Sequence, residues 1–398
     1  MKNTRILFLS ALPIKDATIT PNSDGKPTMT NEACGIHSEA CLDMNIKAID
    51  LWSDIQKRDN WQDVFFIDRI HFSVEGNKIV LKEILKVLKE AEWEPTVHWK
   101  SMPNEFEEDS PYDPVAPDGR STVNLSNWSF PDDRKSERER EMSGPLLRPQ
   151  FVMFGSSIVQ YGLYDEGWMA DLSHLYARKV DIVLRGYAGW NSRRALQVLD
   201  KIFPKDAPVQ PSLVIAYFGG NDSSTPHSSG LGPHVPLQEY IENLRKIVNH
   251  LKSLSENTRI LLLSAPPIND ATITPNSERS DGKPSRTNEA CRIYSEACLD
   301  VCREMNVKAI DLWSAIKKRD NWQDVCFIDG IHLSSEGSKI VLKEILKVLK
   351  DAEWEPSLYW KSMPSEFDED SPYDPIAPDG KSTINISNWA FPGNDKWE

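Results

Sequence analysis

The sequence predicts an α/β protein: a three-layer, doubly wound, parallel sheet of five strands, preceded by a duplicated half of the same unit. Three observations carry that reading. From Pro149 onward, short apolar runs alternate with longer amphipathic segments. The runs are rich in Val, Ile, Leu and Phe without polar alternation, as strands covered on both faces are. Residues 3–130 also match residues 257–391 at roughly four-fifths of aligned positions.

The elements follow in order. QFVMFG is a short buried strand, and helical spacing resumes from Trp168 to Lys179. DIVLRGY is a second strand, followed by the helix SRRALQVLDKIF. SLVIAYFGG is the third strand, and LQEYIENLRKIVNHLKSL is an amphipathic helix. RILLLSAPP and VKAIDLW supply strands four and five, with a helix from about Thr287 between them. KIVLKEILKVLKDAEW closes the unit as a long helix. Right-handed crossovers bring the loops that follow the strands to one edge of such a sheet, where ligands bind.

The front copy, residues 1–131, holds only the last two strands and their helices. It lacks Glu278, Arg279 and Ser280 of a loop, and Val301 to Glu304, about one helical turn. Two paired strands bury too little to be stable alone, so this segment is not expected to be an independent stable domain. The opening MKNTRILFLSALPIKDA resembles a signal peptide, but NTRILLLSAPPINDA recurs in mid-chain, so residues 1–17 read as a strand. DDRKSEREREMSG, within 132–147, reads as a charged linker. Residues 148–398 then form the complete domain, including its tail.

Composition narrows the function. A net charge of -14 without a basic stripe disfavours nucleic acid and anionic membranes as partners. No apolar run approaches the ~18–20 residues of a membrane span. Six cysteines in 398 residues are no disulfide framework. The matched pairs Cys34/Cys41 and Cys291/Cys298 lack zinc spacing and read as reduced core thiols. These features favour the cytoplasm. Oligomeric state is not legible. Trp354, Trp360 and Trp389 of the tail read as packing anchors.

Four stretches carry candidate chemistry. In FGSSIVQYG, Ser156 and Ser157 follow a strand and either present a nucleophilic hydroxyl or cap a helix. In RGYAGWNS, Gly186 and Gly189 allow close backbone approach or simply turn the chain. In YFGGNDSS, Asn221 either aims an amide at a ligand or forms an Asx-turn. In FIDGIHLSSEG, Asp329 and His332 supply a base and its orienting carboxylate, or a capping Asp beside a surface His. Taken together, nucleophile, glycine, asparagine and Asp/His fall in order along one α/β unit.

That ordered set resembles the SGNH, or GDSL-type, hydrolase family, over about residues 148–350. RGYAGWNSRRAL, GGNDSSTPHSSGLGPHVPL and WKSMPSEFDEDSPYD are similar to its plant isoamyl-acetate-hydrolysing-esterase-like branch. The resemblance implies a flavodoxin-like sheet, a serine esterase working through an acyl-enzyme, a small ester as substrate, and no metal or organic cofactor. It implies Ser157 as nucleophile, Asp329 and His332 as its partners, and Ser157, Gly189 and Asn221 as oxyanion donors. The Asp that usually precedes the nucleophile is Ser156 here, which implies altered local hydrogen bonding. A G-x-S-x-G elbow is absent around Ser157, which disfavours the α/β-hydrolase fold. The front copy carries Asp68 and His71 but no serine, glycine or asparagine block, and Arg69 stands where the complete unit has Gly330. A non-catalytic binding module or impaired esterase, with its cleft blocked or its sheet distorted by the front copy, is the competing reading.

Overall fold

The computed structural model describes residues 5–10, 47–67, 71–93, 97–102, 148–164, 166–226, 232–273 and 285–366. The chain divides into two compact units, Met1–Ser129 and Phe130–Glu398. In the first, β1 (Leu7–Leu9) pairs in parallel with β2 (Lys47–Ile49), Leu7 opposite Lys47 and Leu9 opposite Ile49. Three helices follow: α1 (Leu51–Gln56), α2 (Trp61–Val64) and α3 (Val74–Glu90). Asp50 caps α1 by accepting from the Ser53 amide at 3.0 Å, and the Ser73 hydroxyl caps α3 from the Gly76 amide at 3.1 Å. The opening apolar run is therefore a paired strand in this structure.

The second unit holds one parallel sheet. Its strands are β3 (Gln150–Gly155), β4 (Asp181–Gly186), β5 (Leu213–Tyr217), β6 (Arg259–Leu263) and β7 (Lys308–Ile310), in spatial order β4-β3-β5-β6-β7. This is the five-stranded α/β sheet the sequence predicts. The order reverses direction at β3, so crossovers run both ways and helices cover both faces. One face packs Phe151, Met153, Ile215 and Leu263 under α5 (Trp168–Leu175) and the final helix α11 (Ser335–Asp351). The other packs Phe154, Ala216 and Leu262 under α6 (Ser192–Ile202), α7 (Leu237–Lys252) and α8 (Asn288–Glu304). Short helices complete the unit: α4 (Ser157–Gln160) after β3, and α9 (Leu312–Lys317) and α10 (Trp322–Val325) after β7.

The register of β6 on β7 equals that of β1 on β2 position for position, Leu261 opposite Lys308 and Leu263 opposite Ile310. The loop bridges match as well, Phe66 with Phe72 and Phe327 with Leu333. Burial does not match. Ile6, Phe8 and Leu9 are 45–49% exposed, whereas the aligned Ile260, Leu262 and Leu263 are at most 4% exposed. Leu81 is 56% exposed and its counterpart Leu342 is fully buried.

Boundaries differ from the sequence reading where local geometry decides them. α5 ends at Leu175, and Arg178 just beyond takes a left-handed φ of 64°, which breaks the predicted run to Lys179. α11 starts four residues earlier than its apolar pattern, because the Ser334 hydroxyl accepts from the Gly337 amide at 3.3 Å. The tail packs on the domain through residue 366: Tyr176 Oη donates to the Leu358 carbonyl at 2.7 Å, and Arg148 Nε donates to Glu366 at 2.6 Å. Trp354 and Trp360 pack against the core there. Cys291 and Cys298 are buried free thiols on α8. Cys34, Cys41, Asp68, Arg69, the linker and Trp389 lie outside the described residues. Among the described residues no helix is long and apolar enough to cross a membrane.

Candidate active site

The site begins where β3 ends. Ser156 is the N-cap of α4 and Ser157 its first residue, nearly buried at 9% exposure. The Ser156 side chain makes no capping bond. α4 lies directly against β4, because a Cβ on Gly186 would run into the backbone of Gln160. Gln160 then reaches over the turn after β4, its side-chain oxygen accepting from the Ala188 amide at 2.6 Å. That bond ties the serine-bearing helix to the loop of Gly189, whose φ is 81°. Among the described residues neither the Gly189 amide nor the Ser157 amide has an acceptor.

The turn after β5 is built around Asp222, which is fully buried. Its carboxylate accepts from the Ser192 amide at 2.9 Å and the Gly219 amide at 3.0 Å. Burial pushes this carboxyl up, and those bonds oppose the shift. Asn221 sits on the same turn, its Nδ2 donating to the Trp190 carbonyl at 2.7 Å. Asp222 thus joins the turn after β5 to the start of α6, and Asn221 joins it to the Gly189 loop.

Asp329 and His332 lie between α10 and α11, on a loop closed by the Phe327–Leu333 bridge and by the Ile328 amide donating to the His332 carbonyl at 2.8 Å. Asp329 Oδ2 meets His332 Nδ1 at 2.6 Å, and Oδ1 accepts from the amides of His332 at 2.8 Å and Ile331 at 3.0 Å. Burial pushes the Asp329 carboxyl up, but the bonds from His332 and Ile331 outweigh it and hold the group below the usual carboxylate value. Gly330 sits between them with a φ of 88°, and a Cβ there would collide with Thr272 Oγ1. The sequence difference at Arg69 therefore falls on a position that side chains fit poorly.

Ser157, Asp329 and His332 line one cavity of about 280 Å³, walled by Ile158, Trp168 and Leu333, with the Tyr161 ring edge-on to the His332 imidazole at 5.3 Å. Gly189 and Asn221 are not among its lining residues. The Ser157 hydroxyl has no hydrogen-bond partner among the described residues, so Ser157 and His332 share the cavity without a direct bond. Such contacts are often loose in unliganded sites and tighten with substrate. No group of three or more His, Cys, Asp or Glu among the described residues is arranged to hold a metal. Gln160 and Asp222, which brace the candidate loops, were not legible in the sequence. Each acts through a partner distant along the chain, Ala188 for Gln160 and Ser192 for Asp222.

A family model described as the GDSL-like lipase/acylhydrolase family matches residues 153–340. The GDSL esterase/lipase WDL1 of Oryza sativa subsp. japonica is 62% identical over 251 residues, 63% of this chain and 96% of that protein. The chain belongs to the GDSL-like lipase/acylhydrolase family. As a GDSL-like protein it is a carboxylic ester hydrolase of the serine type. A second GDSL-like lipase/acylhydrolase model matches residues 2–84. The GDSL esterase/lipase CPRD49 of Arabidopsis thaliana is 58% identical over 257 residues, 65% of this chain and 100% of that protein. An isoamyl acetate-hydrolyzing esterase 1 homolog of Bos taurus is 32% identical over 224 residues, 55% of this chain and 90% of that protein.

Proposed function

We propose that this GDSL-like hydrolase cleaves small, short-acyl carboxylic esters, with Ser157 as nucleophile, His332 as general base and Asp329 as its orienting carboxylate. The observation that carries the reading is the single cavity shared by these three side chains, with Asp329 already bonded to His332 Nδ1. Its volume of about 280 Å³ and its apolar walls suit a short acyl group better than a long chain.

The chemistry runs as acyl transfer. His332 Nε2 takes the Ser157 proton as Oγ attacks the ester carbonyl, and Asp329 holds Nδ1–H and stabilises the imidazolium. The amides of Ser157 and Gly189 and the side chain of Asn221 receive the oxyanion. One such donor contributes roughly 2.7–4 kcal/mol to transition-state stabilisation. His332 returns the proton to the leaving alcohol, leaving an acyl-Ser157 ester. Water then attacks under the same base, releasing the acid and free serine. The relatives named isoamyl acetate-hydrolyzing esterase homologs support acetate-sized acyl groups. Four buried free thiols fit a reducing compartment such as the cytosol.

Ser157→Ala in the full chain should abolish p-nitrophenyl acetate hydrolysis and labelling by a fluorophosphonate, with an unchanged circular dichroism spectrum. Hydrolysis near the parental rate in that variant would sink the assignment.

A further inference from the structure

Arg286 immediately precedes Thr287, the N-cap of α8, yet its half-buried guanidinium reaches the turn after β5. Nη2 donates to Asn221 Oδ1 at 2.6 Å, and Nη1 donates to the Gly220 carbonyl. The other end of the Asn221 side chain donates from Nδ2 to the Trp190 carbonyl. The two partners fix which way round the amide lies, since a guanidinium only donates and a backbone carbonyl only accepts. With both ends engaged, the amide plane has one orientation, and among the described residues the second N–H on Nδ2 has no acceptor. A cation on Oδ1 also draws electron density from the amide and strengthens that remaining donor. Burial pulls the guanidinium below its ordinary value, and neighbouring groups, Asp222 and Asp329 among them, oppose that shift. In the front copy, which has no counterpart of Asn221, the aligned residue is Met29.

We infer that Arg286 is a positioning residue for ester hydrolysis, locking and polarising the Asn221 amide so that its free N–H is already aimed when the oxyanion forms. The inference rests on the proposed role of Asn221. Lysine cannot reproduce it, because a single ammonium lacks the planar fork that spans Oδ1 and the Gly220 carbonyl together.

The test is steady-state hydrolysis of p-nitrophenyl acetate by the full chain, comparing the parent with S157A, N221A, R286M, R286K and the double variant N221A/R286M. R286M is expected to lose about 100-fold in kcat, the scale of one lost oxyanion donor, with KM within about twofold because ground-state binding is untouched. The double variant should be no slower than N221A, since both changes remove one device. R286K should recover only a small part of the loss. Multiplying losses in the double variant would overturn the inference, as would parental kcat in R286M beside an inactive S157A. Activity in S157A would instead strike the esterase assignment itself. Should R286M lose its native circular dichroism spectrum, R286K carries the comparison, and parental kcat there overturns the inference.

Discussion

The proposed base and its orienting carboxylate are held by short-range bonds that their neighbours dictate. Asp329 shows this most directly, because three hydrogen bonds converge on its carboxylate and hold it below the ordinary value of 3.8. The sign of the pH effect follows. Between the lowered native value and 3.8, the native state binds fewer protons than the unfolded chain, so stability falls as pH falls through that window. The contribution is fully present above it. The melting-temperature difference between the parent and Asp329→Asn should therefore be largest above about pH 5 and shrink toward about pH 3. A difference that stays constant over that range would contradict the account. Ser157, Asn221, Asp329 and His332 were legible as candidates because reactive residue types stood together in short stretches. Arg286 was not, because an arginine before a helix reads as a solvated charge until folding brings Asn221 against it.

At the scale of the element, the apolar runs located all five strands, since buried parallel strands need no alternation to be recognised. Their ends were less legible, because a cap or a left-handed residue ends an element without changing its hydrophobic pattern. Contact between elements was legible only through glycine. Gly186 lets α4 rest on β4, and α4 carries Ser157 at its first position. Gly186→Ala would push that helix off the strand and loosen the Gln160–Ala188 bond. Overpacking of this kind costs about 1–3 kcal/mol. A displacement of about 1 Å at the nucleophile costs on the order of 100-fold in rate. The variant should thus melt a few degrees lower yet lose far more activity than stability, which calorimetry and initial rates together would check. Equal loss of both would point to simple unfolding.

For the whole molecule, the proposed division makes residues 148–398 the complete hydrolase and residues 1–131 an incomplete copy of its second half. On that division, a chain starting near residue 145 should hydrolyse p-nitrophenyl acetate at the parental kcat and KM. A truncated chain that is folded but inactive would show that the first unit is needed, and one that outpaces the parent would show that it inhibits. The repeat was legible in the sequence, but its energetic consequence was not: near-identical segments build the same strand register in both units, while among the described residues the aligned positions are well covered in the second alone. That contrast between Leu81 and Leu342 also bears on which substitutions each segment tolerates. Selection removes substitutions only when they carry stability below what function needs, and a leucine in open solvent has no packing to defend. Leu81, Ile6 and Leu9 match their buried counterparts, while Phe8 stands where the second unit has Leu262. Exposed positions of the first segment are thus where differences from the second are free to accumulate, and Phe8 against Leu262 is one.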